Sequence, residues 1–64
     1  MKTVYDVRQL LKRFGTFIYI GDRLSDLDLM RDEVKELYQN KFITVHEYQM
    51  ATLVLKQEAR KIQK

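Results

Sequence analysis

The sequence contains no cysteine, no proline and no tryptophan, and it has two glycines among 64 residues. Without cysteine, a disulfide framework and a thiolate zinc site are excluded. Without proline and with little glycine, few positions force a helix to break, which favours a helical protein. The longest nearly apolar stretch, residues 50–55, is far shorter than the roughly 18 residues of a membrane span. Asp6 and Arg8 interrupt the start, where a signal peptide needs an apolar core, so we expect a cytoplasmic location.

What is present describes an ordinary folded protein of small size. Hydrophobic residues make up 45% and charged residues 33% of the chain, a balance that does not indicate disorder. A chain of this length holds a single domain, residues 1–64. Small domains without disulfides or metals depend on regular helix packing or on oligomerisation for their stability.

The first predicted helix covers residues 3–14. Its apolar residues recur at intervals of three and four and therefore share one face. Thr3 is a good N-cap, Asp6 lies near the positive end of the helix dipole, and Gly15 suits the left-handed position after a helix end. The apolar face consists of Val4, Val7, Leu10, Leu11 and Phe14.

A β-branched and aromatic segment follows. A lone strand has no pairing partner here, so we predict an extended apolar connector, residues 16–21, that plugs the bundle. Asp22 or Ser25 can cap the second predicted helix, residues 23–40, which should end near Asn40. The expected buried stripe of this helix is Leu24, Leu27, Met30, Val34, Leu37 and Tyr38.

The third predicted helix covers residues 45–62. Thr44 and Glu47 have the spacing of a capping box. The expected buried face is Val45, Tyr48, Ala51, Thr52, Leu55, Ala59 and Ile62. Three further apolar residues fall on other faces: Met50, Leu53 and Val54. A helix that is apolar nearly all round is sandwiched between neighbours or buried in an oligomer. The predicted fold is therefore all-α, a compact three-helix bundle.

The net charge of +3 conceals an uneven distribution. Residues 22–36 hold six acids and three bases, net −3, whereas the remainder holds nine bases and three acids, net +6. Polar and basic side chains share outer faces of the first and third helices, as Tyr5, Arg8, Gln9 and Lys12, and as Gln49, Lys56, Arg60 and Lys64. Such columns can line a groove for single-stranded nucleic acid, where cations neutralise phosphates and aromatic rings stack on bases.

The same residues also have ordinary structural explanations. Cations are favoured on exposed helix faces and in last turns, and +3 is far below the charge density of a dedicated nucleic-acid binder. Phe14 and Tyr48 lie on the apolar faces and are expected to pack in the core. Tyr5 and Tyr19 are less committed to a core and are the better candidates for functional contacts.

Catalytic and metal chemistry is poorly represented. His46 is the single histidine, and a zinc site without cysteine would need several carboxylates beside it, so we expect an ordinary surface histidine. A helical bundle of this size offers little room for a pocket of ~300 Å³ or more, the size of small-molecule sites. We therefore predict a protein that is not an enzyme and has no cofactor or metal.

Several motifs are similar to those of a known family. They are Tyr5-Asp6-Val7, Leu10-Leu11-Lys12, Phe14-Gly15, Tyr19-Ile20-Gly21-Asp22-Arg23, Met30, Glu33 and Lys35-Glu36-Leu37-Tyr38. The sequence resembles the YqgQ-like family, small proteins of Gram-positive bacteria, over residues 3–43 and more loosely in the third helix. The resemblance implies a compact three-helix bundle without assigned enzymatic activity, for which single-stranded nucleic-acid binding has been suggested. Ile20 stands where relatives often have an aromatic residue, which weakens a stacking role there.

Two functional hypotheses result. In the first, the protein binds single-stranded RNA or DNA non-specifically, through Tyr5, Arg8, Lys12, Arg13, Tyr19, Arg23, Lys56 and Arg60. Arg23 has an equally good structural explanation, an ion pair with a nearby carboxylate, just as Gly21 and Asp22 suit a positive φ and a helix cap. In the second, the protein is an interaction module or a homodimer that uses exposed apolar residues of the third helix, together with Leu29.

Overall fold

Three helices account for most of the fold. The structure, a computed structural model, describes residues 1–19 and 21–62. The helices are α1 (Val4–Arg13), α2 (Arg23–Gln39) and α3 (Val45–Ile62), and no strand occurs in the described residues. All three lie where the sequence predicts them, so the all-α three-helix bundle is confirmed. The most extensive interface is between α2 and α3, and α1 packs against both.

Helix caps explain where the helices begin. At α1 the Asp6 amide donates to the Thr3 hydroxyl at 3.3 Å, and the Thr3 amide donates to the Asp6 carboxylate at 3.1 Å. Thr44 and Glu47 make the same reciprocal pair at the start of α3, at 3.1 Å and 2.9 Å. Both capping boxes satisfy amides that a helix start leaves without partners. Asp22 is the N-cap of α2, but its carboxylate accepts from the Ser25 hydroxyl at 2.7 Å rather than from a backbone amide.

Residues with positive φ mark the exits from α1 and α2. Gly15, with φ +80°, follows α1, and the Thr16 amide donates to the Leu11 carbonyl across it at 3.0 Å. The end of α2 has the same hydrogen-bond pattern, but Lys41, a residue with a side chain, takes the left-handed conformation with φ +64°. Gly21 also has a positive φ, +92°, as the sequence predicts.

The core lies between the three helices and is closed by one loop residue, Ile43. Its buried apolar members are Val7, Leu10, Leu11, Leu27, Met30, Val34, Leu37, Ile43, Ala51, Val54 and Leu55. Val54 is 6% exposed, so the prediction that it lies away from the buried face of α3 is wrong. Two helix-end residues expected in the core, Val45 and Ile62, are instead exposed, at 53% and 36%.

Phe14 and Tyr38 also differ from the core positions predicted for them. Phe14 is 40% exposed and packs against Phe42, with ring centroids 5.9 Å apart. Tyr38 is 37% exposed and stacks on the half-buried Tyr48, with ring centroids 4.5 Å apart and planes 7° from parallel. Tyr38 and Tyr48 stack face to face, and Tyr48 also packs against the core as predicted, whereas the rings of Phe14 and Phe42 are tilted by 44°.

The connector between α1 and α2 plugs the bundle with one side chain. Ile18 is partly buried and packs against the core, whereas Phe17 and Tyr19 are 74% and 84% exposed. The expectation of a plug formed by the whole apolar segment is therefore wrong for these two aromatic residues. Ile20, also part of the predicted connector, lies outside the described residues.

Candidate functional site

A groove runs between the outer face of α1 and the connector. Its volume is about 480 Å³, and Leu11 and Met30 give it an apolar lining. It is also lined by Tyr5, Arg8, Gln9, Lys12, Thr16, Phe17, Ile18 and Tyr19. The expectation that a bundle of this size offers little room for such a pocket is wrong, because the connector leaves α1 and builds a second wall beside it.

The α1 wall follows from helical periodicity. Tyr5, Arg8 and Lys12 are spaced by three and four residues and therefore project from one side of the helix. Val7, Leu10 and Leu11, which alternate with them, are buried in the core. The sequence predicted this face correctly, since burial of the apolar stripe fixes the direction of the remaining side chains.

A hydrogen bond holds the connector wall against α1. Nη1 of Arg8 donates to the Ile18 carbonyl oxygen at 3.0 Å. Ile18 packs inward, so its two neighbours, Phe17 and Tyr19, face solvent and line the groove. Phe17 was absent from the predicted site; the signal that could have found it is the alternation of an extended segment, which sends residues on either side of a buried one outward.

The groove exposes aromatic surface on both walls. Tyr5 on α1 is 66% exposed, and Tyr19 on the connector is 84% exposed. Rings of this size are usually at least half buried, and a tyrosine presents an apolar face together with a polar hydroxyl group. Aromatic rings on two facing elements form a surface on which a planar group can stack.

The charge of this groove has one sign. Arg8 and Lys12 contribute cations, and none of its described lining residues is acidic. Two smaller grooves adjoin it and differ in this respect. One of about 350 Å³ contains Glu58, and one of about 190 Å³ contains the buried Asp26. The first of these also contains Lys2, Arg23 and Lys61, and the second contains Arg8 and Arg23, so cations outnumber the carboxylate in both. The large groove therefore differs from its two neighbours in having no carboxylate among its described lining residues.

Arg23 lines both of the smaller grooves rather than the large one. Its Nη2 lies 3.1 Å from Oε1 of Glu58, an ion pair between α2 and α3. The structural explanation of Arg23 is thus confirmed. The pair leaves the Arg23 side chain 61% exposed, so the guanidinium group is still accessible from solvent.

The remaining predicted cations lie elsewhere. Arg13 is exposed at the last residue of α1, and Lys56 and Arg60 are exposed on α3. None of these three residues lines the large groove or either of its two smaller neighbours. Arg60 is nine residues from the fully buried Ala51, so at 100° per residue it projects from the opposite side of α3. Lys64, the last member of that predicted column, lies outside the described residues.

The apolar residues of the second hypothesis are only partly at the surface. Leu53 is 48% and Leu29 is 39% exposed, whereas Met50 is half-buried and Val54 belongs to the core. The loop between α2 and α3 adds Phe42, which is 62% exposed and which the sequence did not single out. Val45, the first residue of α3, was expected in the buried face but is 53% exposed.

The described part of the chain contains neither a metal site nor a membrane-spanning helix. Over residues 1–19 and 21–62 no three histidine or carboxylate side chains come together in a way that could hold a metal ion. His46 is exposed in the first turn of α3. None of the helices that the structure describes combines the length and the apolar character needed to cross a membrane.

Comparison with known proteins identifies the family. The family model for YqgQ-like proteins matches residues 1–61. The chain belongs to the YqgQ-like family. Among YqgQ-like proteins, it is 48% identical over 58 residues to the Bacillus subtilis (strain 168) protein named Uncharacterized protein YqgQ, covering 91% of this chain and 82% of that protein. The match thus extends through α3, beyond residues 3–43, where the recognisable motifs lie.

Proposed function

We propose that this YqgQ-like chain binds single-stranded nucleic acid in the large groove, without base-sequence preference and without catalysis. The observation that carries the proposal is the lining of the groove, in which Tyr5 and Tyr19 are exposed beside Arg8 and Lys12 and no described residue is acidic. Stacking rings next to cations form the arrangement by which proteins hold single strands irrespective of sequence.

Each side chain has a distinct role in this proposal. Lys12 and Arg8 neutralise phosphates; Arg8 uses one N–H group on the Ile18 carbonyl and retains further donors. Tyr5 and Tyr19 stack on bases, which is tolerant of sequence because every base has an aromatic face. The proposal applies to RNA and DNA alike, and it includes a cytoplasmic location and, as for the Bacillus relative, a Gram-positive bacterial origin.

Fluorescence anisotropy with a labelled single strand of twenty nucleotides tests the proposal. At ~50 mM salt we expect binding that weakens as salt is raised, because phosphate neutralisation releases counterions. Lys12→Gln should weaken the binding of every sequence by a similar factor, roughly fivefold. Absence of binding at low salt, or binding that does not respond to salt, would contradict the proposal.

Lys56→Gln is the matched control for Lys12→Gln. Both substitutions remove one positive charge from an exposed lysine on a helix, but Lys56 does not line the groove. If binding depends on the groove, Lys56→Gln leaves the affinity nearly unchanged. An equal loss for both variants would show that net charge, rather than this groove, determines binding.

Self-association is a second candidate function. The observation that favours it is the exposure of Phe42, Val45 and Leu53, three large apolar side chains on the loop after α2 and on α3. Apolar surface of this kind is buried when a small domain forms a homodimer or binds a protein partner. Under this alternative, the stability of the chain rises with its concentration.

A further inference from the structure

We infer that a second group of cations, Lys2, Arg23 and Lys61, extends the nucleic-acid surface beyond the large groove. A bound strand then passes along α1 from Lys12 and reaches the C-terminal end of α3. This inference rests on the proposed function and adds two lysines to its binding residues. It follows from the continuity of the three grooves, from the placement of the lysines and from the exposure of Arg23.

The three grooves adjoin one another around the N-terminal half of α1. Tyr5 lines both the large groove and the groove of about 350 Å³, and Val4 and Arg23 line both of the smaller grooves. Arg8 lines the large groove and the smallest one. Tyr5 is 66% exposed at the junction, so its ring offers a stacking surface to a base where the strand passes from one groove to the next.

The two lysines of the second group come from opposite ends of the chain. The backbone amide of Lys2 donates to the Asp6 carboxylate at 2.9 Å, which holds Lys2 beside the start of α1. Lys61 lies in the last turn of α3, seven residues after the buried Val54, so helical periodicity places both on one side of α3. Both lysines are exposed and line the groove that Tyr5 joins to the large one.

Cations dominate this second groove. Lys2, Arg23 and Lys61 line it together with one carboxylate, Glu58, whose side chain is 20% exposed. Arg23 is paired with Glu58 but remains 61% exposed, and a guanidinium group has five N–H donors. The ion pair therefore leaves Arg23 able to donate to a phosphate, beside two lysines that neutralise further phosphates.

The path is longer than the large groove alone. Tyr5 and Lys12 are seven positions apart on α1, which places them about 10 Å apart along the helix axis. Stacked nucleotides advance by about 3.4 Å each, so this span corresponds to about three nucleotides. The second group of cations lies beyond Tyr5, and a strand longer than these three nucleotides reaches it.

A double substitution, Lys2→Gln with Lys61→Gln, tests the path. Fluorescence anisotropy with the labelled strand of twenty nucleotides measures its affinity over a range of salt concentrations. We expect this variant to bind roughly twentyfold more weakly and to have a salt slope about 1.4 smaller in magnitude, because two phosphates lose their cations. The matched control is Lys56→Gln with Arg60→Gln, which removes two exposed cations of α3 that line none of the three grooves and should change neither quantity appreciably.

Glu58→Gln tests the same groove in the opposite direction. It removes the carboxylate of the second groove but keeps a side-chain oxygen for Arg23, so we expect the twenty-nucleotide strand to bind about threefold more tightly. Equal losses for the two double variants, or no gain in affinity for Glu58→Gln, would overturn the path. Either result leaves the proposed function intact if Lys12→Gln still weakens binding, while failure of the strand to bind the wild type refutes the proposed function itself.

Discussion

Lys41 holds a backbone conformation that glycine favours. Its φ is +64°, and the hydrogen bond from the Phe42 amide to the Leu37 carbonyl, 2.9 Å, closes the end of α2 around it. A side chain in this region costs about 1–2 kcal/mol, partly offset because glycine has a more disordered unfolded state. We therefore expect Lys41→Gly to raise the free energy of unfolding by roughly 0.5–1 kcal/mol and Tm by a few degrees, measured by thermal denaturation.

Gly15→Ala provides the reverse experiment. Gly15 occupies the same position after α1, with φ +80°, and a Cβ added there meets no atom within 4 Å. Alanine is therefore disfavoured by backbone conformation alone, and we expect Tm to fall by a similar amount. If Lys41→Gly failed to stabilise the protein while Gly15→Ala destabilised it, the result would contradict the energetic cost assigned to the left-handed conformation of Lys41.

At the scale of a whole element, the stability of α1 depends on pH because its capping box contains the carboxylate of Asp6. The backbone amides of Lys2 and Thr3 donate to the Asp6 carboxylate and hold the pKa of Asp6 below its ordinary value, with a smaller contribution from the Thr3 hydroxyl. A carboxyl whose pKa is lowered by folding stabilises the folded state at pH values above its unfolded pKa, about 3.9. That contribution is lost as the pH falls through the lower, folded pKa.

Asp6→Asn tests this linkage. The amide oxygen of asparagine still accepts a hydrogen bond but carries no charge, so we expect the variant to have a lower Tm than the wild type at pH 7. The gap in Tm should narrow as the pH falls below the unfolded pKa of about 3.9 and through the lower, folded pKa of Asp6, where the wild-type carboxyl takes up its proton. A gap that stays constant over this range would mean that the charge of Asp6 does not stabilise α1.

The elements themselves were predictable, and their relative placement was not. Caps and periodicity locate all three helices, because Thr3, Gly15 and Thr44 act within their own turns. The same periodicity orients the outer face of α1. Lys56 belongs to an equally regular column of polar and basic residues on α3. Which face of α3 is buried, however, depends on packing against α2. Because the middle of α3 is apolar on nearly every face, the sequence alone does not determine the buried face. The second wall of the groove depends on which connector residue packs inward. That residue is Ile18, and tertiary packing rather than the local sequence determines this.

In the folded molecule, the acidic segment of the sequence and the large groove lie mostly on different elements. The negative segment, residues 22–36, forms most of α2, where three carboxylates four residues apart lie exposed: Asp28, Asp32 and Glu36. The large groove lies on α1 and the connector, within the part of the chain that carries net +6. A polyanion is therefore attracted to one side and repelled by the other, so the proposed ligand approaches in a preferred orientation.

The stability of so small a bundle depends on few core residues. Substitutions of two leucines of α3, Leu53 and Leu55, test the contribution of self-association separately from that of core packing. A domain of this length has roughly 3–10 kcal/mol of stability. Leu55 is fully buried, so Leu55→Ala should cost about 3 kcal/mol, which equals the whole stability at the lower end of this range. Leu53 is 48% exposed, so in a monomer Leu53→Ala should cost less than about 1 kcal/mol.

Urea denaturation followed by circular dichroism, at protein concentrations a hundredfold apart, distinguishes the two origins of stability. For a monomeric bundle, the denaturation midpoint of the wild type does not depend on concentration, and only Leu55→Ala shifts it strongly. For a homodimer formed through α3, the wild-type midpoint rises with concentration, and Leu53→Ala abolishes that rise. Since α1, α2 and α3 already enclose a continuous core, we expect the monomeric result, and a large effect of Leu53→Ala would instead support the self-association candidate.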